Sequence, residues 1–193
     1  MPYIMPNSTS YFGFLPGMEV MRINAYPVSS SEGAIYAGDV IVFTSICTVK
    51  SMGASGSTGN IAVVGVAANY MAANAGSTGQ FGTPVHVYDH PDQVYACTDT
   101  TSGSITSTGA YKSYALLSTG CIGSSGGNSA TGRGVMALSG VTASSGGAFR
   151  HLGMHPVEQN LWATADTGLV KRHLAIFTNH AFANGLMVGA VTT

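Results

Sequence analysis

Charged side chains are scarce in this chain of 193 residues, since only 8% are Asp, Glu, Lys or Arg and the formal net charge is −1. Soluble domains usually carry about 25% charged residues. Nucleic acids and anionic membrane surfaces attract clustered Lys and Arg, and the only basic run is Lys171-Arg172-His173. The sequence therefore predicts neither a nucleic-acid partner nor a membrane partner.

Long apolar runs, a signal sequence and a cysteine framework are also missing. No uninterrupted apolar run approaches the roughly 18 residues of a membrane span. The first residues, MPYIMPNSTSYFGF, lack the basic start of a secretory signal. Cys47, Cys97 and Cys121 are odd in number and widely spaced, which favours reduced thiols in a cytoplasm over disulfides.

Motifs for catalysis and metal binding are weak. Neither the G-x-S-x-G nucleophile elbow nor the P-loop pattern occurs. His151 and His155 have the i, i+4 spacing of a zinc helix, but Gly153 between them and Pro156 after them argue against a helix. We interpret the two histidines as polar side chains on a strand or loop. The sequence thus predicts no enzyme, no metal and no cofactor.

Glycine and short β-branched or aromatic segments dominate the remaining sequence. The 26 glycines interrupt most windows long enough for a helix. Strands are predicted at 39–49, 60–72, 84–89, 93–98, 111–117, 134–141 and 173–182. In 84–89, Val85 and Val87 alternate with His86 and Tyr88, the pattern of a half-buried strand. We predict an all-β fold, an antiparallel β-sandwich or a jelly-roll-like barrel.

Residues 1–34 differ from the β-rich domain predicted over 35–193. They hold four prolines, which favour an extended chain, together with many apolar side chains that require burial. We predict an extended N-terminal arm that docks on a neighbouring subunit. The alternative is an arm that folds back on its own domain. The candidate interface residues of the arm are Tyr3, Ile4, Tyr11, Phe12, Phe14 and Leu15.

The stretch VYDHPDQVY, residues 87–95, gathers two acids, a histidine and a proline. Pro91 fits the second position of a turn begun by His90. The Asp89 carboxylate could then cap the backbone N–H of Asp92. The same residues could form an acid/base site, and a hydrolase using Asp89, Asp92 or a serine ranks last among our hypotheses. We interpret the stretch as a turn that holds its shape.

Several segments, taken in order, resemble a family of small head proteins of tailed phages and prophages. They are YFGFLP (11–16), IYAGDVIV (35–42), VVGVA (63–67), VYDHPDQVY (87–95), TGRG (131–134), HLGM (151–154) and IFTNHAF (176–182). The chain departs from the family pattern at His90, where Asp is usual, and at Thr178, where Asn is usual.

The resemblance implies a capsid decoration, or cement, protein. Such a protein binds the outer surface of the icosahedral head in the virion, often as a homotrimer, and reinforces the shell. Its partners would be the major capsid protein and further copies of itself. Arg133, the one charge in its glycine-rich loop, is a further candidate interface residue.

A binding module of another class is the alternative. Small β domains with Gly/Ser/Thr loops and scattered tyrosines also suit glycans, so the chain could be a carbohydrate- or receptor-binding part of a head fibre or tail. The location on the particle separates the two hypotheses, since cement covers the shell and adhesins occupy tail tips or a few vertices.

Overall fold

The computed structural model describes residues 13–28, 32–45, 48–52, 62–73, 84–98, 113–116, 127, 129–142, 149–155 and 172–183. These residues form eleven β-strands and no α-helix, so the predicted all-β class is confirmed. The strands are β1 (Leu15–Pro16), β2 (Ile23–Tyr26), β3 (Val40–Ser45), β4 (Thr48–Ser51), β5 (Val63–Ala67), β6 (Val85–Tyr88), β7 (Tyr95–Thr98), β8 (Ser113–Leu116), β9 (Leu138–Thr142), β10 (Phe149–Met154) and β11 (Arg172–Phe177).

The strands form two antiparallel sheets that pack face to face. One sheet has the order β1-β7-β11-β10-β8-β9 and the other has the order β2-β6-β5-β3-β4. A core lies between them, with Val40 and Val66 from the second sheet facing Tyr95, Phe149 and Phe177 from the first. The predicted antiparallel β-sandwich is therefore confirmed.

The five-stranded sheet curls strongly and encloses a second core. Val28, just after β2, forms a parallel bridge with Val49 of β4 at the far edge. The Tyr26 and Phe43 rings lie 6.1 Å apart, although β6 and β5 separate their strands and a flat sheet would place them about 14 Å apart. The second core consists of Val28, Ile35, Ile41, Val49, Val64, Ala67, Met71, Val85 and Val87.

Cores on both sides of the five-stranded sheet explain the composition of β5 and β6. All five residues of β5 are buried, which matches its uninterrupted VVGVA sequence. In β6, Val85 and Val87 enter the second core while His86 is exposed. The alternation predicted for 84–89 is thus present in the structure.

Two strand regions after residue 34 show where the structure differs from the sequence prediction. The single strand predicted over 39–49 is two strands, β3 and β4, which pair antiparallel with Ser45 opposite Thr48. The connecting residues, 46–47, lie outside the described residues and contain no glycine, proline or asparagine to signal a turn. Strand β10 was not predicted, because its alternation is interrupted by a β-bulge between His151 and Gly153.

The described part of the predicted arm belongs to both sheets. Strand β1 pairs with β7, and β2 pairs with β6. These pairings join Leu15–Pro16 and Ile23–Tyr26 to strands of the 35–193 region. Residues 1–12 of the arm, which include Tyr3, Ile4, Tyr11 and Phe12, lie outside the described residues.

Candidate functional site

Asp89 lies at the centre of a buried polar network at the end of β6. It continues the inward alternation of Val85 and Val87 and is fully buried. Its carboxylate accepts hydrogen bonds from three side chains of the β2 region: Arg22 Nε at 2.7 Å, Asn24 Nδ2 at 2.7 Å and Tyr26 Oη at 2.5 Å. Arg22 Nη2 also donates to the Asp89 carbonyl oxygen at 2.7 Å.

The electrostatics of this network keep Asp89 ionised and Tyr26 protonated. Burial alone raises the pKa of Asp89, but the hydrogen bonds from Tyr26, Arg22 and Asn24 and the Arg22 charge outweigh it, so the pKa is lowered. Burial and the Asp89 hydrogen bond raise the pKa of Tyr26. Both carboxylate oxygens are occupied and shielded from solvent, so Asp89 holds β2 against β6 and offers no open acid or base.

The turn that follows Asp89 is built as expected, but it is capped by a different group. Gln93 N donates to His90 O at 3.1 Å, which places Pro91 at the second position of a turn begun by His90. The Asp92 N–H is capped by His90 Nδ1 at 3.1 Å. The Asp89 cap predicted from the sequence is therefore wrong, because that carboxylate is directed to β2.

Gln93 connects the turn to the chain between β1 and β2. Its side chain is 1% exposed. Its Oε1 accepts from Met21 N at 3.0 Å, and its Nε2 donates to Glu19 O at 3.2 Å and to Val94 O at 3.0 Å. Together with the bonds from Arg22 to Asp89, the Gln93 amide fixes the backbone of residues 19–22.

The fixed segment carries a cluster of exposed apolar side chains. Among the described residues, five large hydrophobic side chains are exposed, and four of them lie within residues 18–23. We call these four residues the apolar strip: Met18 (63% exposed), Val20 (43%), Met21 (53%) and Ile23 (45%). Exposed apolar side chains gathered in one short segment indicate an interaction site more strongly than scattered single ones do.

The other predicted interface residues occupy different positions. Phe14 is fully buried and stacks on Phe149 with ring centroids 4.8 Å apart, so its assignment to an intersubunit interface is corrected to the protein's own core. Leu15 is half-buried and pairs with Ala96 of β7. Arg133 is exposed in a loop whose backbone bridges to Ala37.

The two histidines considered as zinc ligands lie within β10 and just after it. His151 is fully buried, and its Nε2 lies 3.1 Å from His173 Nδ1 on the adjacent strand β11. The His155 backbone N–H instead donates to Arg172 O. Across the described ranges, no group of three or more His, Cys, Asp or Glu side chains could hold a metal ion.

Asp39 and His180 are further buried ionisable groups with shifted pKa values. Burial raises the pKa of Asp39 to about 6, and the hydrogen bond from Tyr36 N at 2.9 Å offsets part of that rise. Burial lowers the pKa of His180 to about 4. His180 Nδ1 accepts from Phe182 N at 3.1 Å, so the neutral ring carries its proton on Nε2.

The sequence analysis missed the partners of Asp89 and the role of Gln93. Arg22, Asn24 and Tyr26 precede Asp89 by more than 60 residues, and nothing local connects them. One signal was present in the sequence: the three donors recur at every second position, which in a strand places them on one face. A face of donors requires an acceptor, and Asp89 is among the few acids of the chain.

No family model matches the chain, and a search of curated proteins returns no match. The described residues contain no helix of sufficient length and apolar character to span a membrane.

Proposed function

We propose that this chain is a structural virion protein, a decoration or cement subunit that binds the outer surface of an icosahedral phage head and stabilises it through contacts between subunits. The ordered resemblance to small phage head proteins suggests the class. The apolar strip is the observation that carries the proposal, because it supplies an exposed, fixed surface for a partner.

The energetics of the apolar strip favour binding over solvent exposure. Burying a large apolar side chain that is otherwise exposed contributes roughly 1.5–3 kcal/mol. The Asp89 and Gln93 bonds hold the strip in place before any partner arrives, so little ordering entropy is lost on association. The polar network thus has a role in this function, since it presents the strip.

The proposed partners are the major capsid protein and further copies of this chain, with a homotrimer as the proposed oligomer. A cement subunit needs no catalytic group, and the covered Asp89 carboxylate is consistent with that role. Uncharged surface also suits a protein that packs closely against many identical neighbours, because buried unpaired charges oppose association.

Co-sedimentation of the purified full chain with empty phage heads tests the proposal. Met21→Asp places a charge in the apolar strip and should reduce head binding at least about tenfold, through loss of apolar burial and desolvation of the carboxylate. Arg150→Gln changes the net charge by the same amount at an exposed position of β10 and should bind like the unmodified chain.

Binding of the full chain to host cells rather than to heads would instead support the receptor-binding alternative. Equal head binding by Met21→Asp and Arg150→Gln would show that the apolar strip is not part of the interface. The proposal would then lose its main support.

A further inference from the structure

The backbone of the apolar strip has one satisfied side and one open side. Glu19 O and Met21 N both bond to the Gln93 amide, as the same side of an extended strand would bond to a neighbouring strand. In an extended chain, the N–H and C=O of the intervening residue, Val20, then point away from Gln93. Within the described residues, neither group of Val20 has a hydrogen-bond partner.

The side chains of the strip are exposed on both faces of this segment. The two bonds to Gln93 fit an extended chain at residues 19–21, and in an extended chain Val20 and Met21 point to opposite faces. Both side chains are about half exposed. A flat surface would cover only one of these faces. A strand laid alongside Val20 would contact both and would also pair with its open backbone groups.

We infer that the apolar strip is a strand-addition site, where an extended apolar segment of a partner protein pairs with the Val20 backbone and packs on Met18, Val20, Met21 and Ile23. This inference rests on the proposed function, because it concerns how the same strip binds. It identifies the partner's chemistry as an extended strand with apolar side chains.

The size of the strip also favours strand addition. A stable interface formed by side chains alone buries about 800 Å² on each partner. Four half-exposed side chains within six residues provide a much smaller surface. Backbone hydrogen bonds supply affinity that does not depend on area, and many copies bound to one shell would raise it further through multivalency.

Two substitutions at residue 20 separate backbone pairing from side-chain burial. Val20→Pro removes the outward N–H, whereas Val20→Ala keeps it and removes apolar surface. Neither change removes an atom that takes part in the bonds of Glu19 O and Met21 N to Gln93, and a thermal melt verifies folding. We expect Val20→Pro to bind heads about tenfold more weakly than Val20→Ala. Equal binding by the two folded variants would overturn strand addition and leave the proposed function intact.

Amide hydrogen exchange at Val20 of the unmodified full chain supplies the second measurement. We expect rapid exchange in dilute solution and protection on binding to empty heads. Protection already in the dilute chain would show that its own residues cover the edge, and head binding without protection would show a different contact. Either result overturns the inference.

A chain that does not bind heads at all would refute the proposed function separately. The chain at high concentration then serves as its own probe. Protection of the Val20 amide on self-association would support strand addition with a second copy as the partner. If the Val20 amide stayed unprotected, the inference would be overturned as well.

Discussion

At the scale of single residues, Asp89 shows how a buried charge can be tolerated. A carboxylate that loses water must recover its hydrogen bonds from the protein. Asp89 does so with three side-chain donors from one short stretch of chain, at 2.5–2.7 Å. These donors also fix the segment that carries the apolar strip, so one acid links the turn at 90–93 to the proposed interface.

Replacing Asp89 should therefore destabilise the protein strongly. Asp89→Ala leaves Tyr26 and Asn24 without their acceptor and should lower the free energy of unfolding by about 2–4 kcal/mol. Asp92→Ala is the matched control, because Asp92 is exposed and its loss should cost within about 0.5 kcal/mol. Urea unfolding of both variants measures the difference, and equal midpoints would contradict the anchoring role of Asp89.

Asp39 and His180 affect stability in opposite directions as the pH changes. The raised pKa of Asp39 means that its favourable contribution is fully present below about pH 4 and is lost as the pH rises through about 6. The lowered pKa of His180 means that its contribution is present above about pH 6.5 and is lost as the pH falls towards 4. Between pH 4 and 6 the two effects oppose each other.

Asp39→Asn should reveal the effect of His180. Asparagine can still accept from Tyr36 N but carries no charge, so stability should rise with pH between 4 and 6.5. At pH 7.5 the variant should be more stable by about 1–3 kcal/mol, since the buried charge is gone. Urea midpoints across this pH range test the prediction, with Asp92→Asn as the exposed control. A profile identical to that of the unmodified protein would refute it.

At the scale of elements, β5 is buried at every position and lies very close to β6 at Gly65. A Cβ added at Gly65 would lie 2.0 Å from Tyr88 O on β6. That oxygen cannot easily move, because it also accepts from Tyr95 Oη at 2.7 Å across the sandwich. Gly65 is thus required by the close approach of two backbones.

Gly65→Ala should separate β5 from β6 and lower the free energy of unfolding by at least about 3 kcal/mol. Gly33→Ala is the control, because nothing lies within 4 Å of a Cβ at Gly33 and the change should be neutral or slightly stabilising. Thermal unfolding compares the two variants. A melting temperature for Gly65→Ala near that of the unmodified protein would show that the strands can separate without loss.

Substitutions on either side of β1 test whether Phe14 belongs to the protein's own core. Phe14 is fully buried between the sheets whereas Met18 is 63% exposed. Phe14→Ala should cost about 3–5 kcal/mol in the isolated protein, and Met18→Ala should cost within about 0.5 kcal/mol. Urea unfolding measures both. A stable Phe14→Ala protein that no longer binds its partner would show that Phe14 lies at an intersubunit interface after all.

Sequence periodicity predicted the strands where local pattern and burial agree. The alternation in 84–89 placed Val85 and Val87 inward, because one face of β6 meets the second core. Strands β1 and β2 were missed, since prolines flank or enter them and β2 is mostly exposed. The Asp89 network escaped prediction because its members meet only after the five-stranded sheet forms. The alternation of Arg22, Asn24 and Tyr26 marks a face of donors but does not identify Asp89, more than 60 residues away, as their acceptor.

At the scale of the whole molecule, the two sheets enclose one core and the curled sheet encloses another. The Asp89 network lies where residues 19–26 cross from the first sheet to the second. Apolar packing in the two cores thus stabilises the sheets, while a few buried polar groups position the apolar strip. A chain with few charges can therefore hold the proposed binding surface in a fixed position.

An image reconstruction of the phage head, with and without this chain, tests the central proposal most directly. Our account predicts many symmetry-related copies on the outer shell, with residues 18–23 in contact with a strand of a neighbouring subunit. Density restricted to a tail tip or a few vertices, or an unchanged head surface, would contradict it.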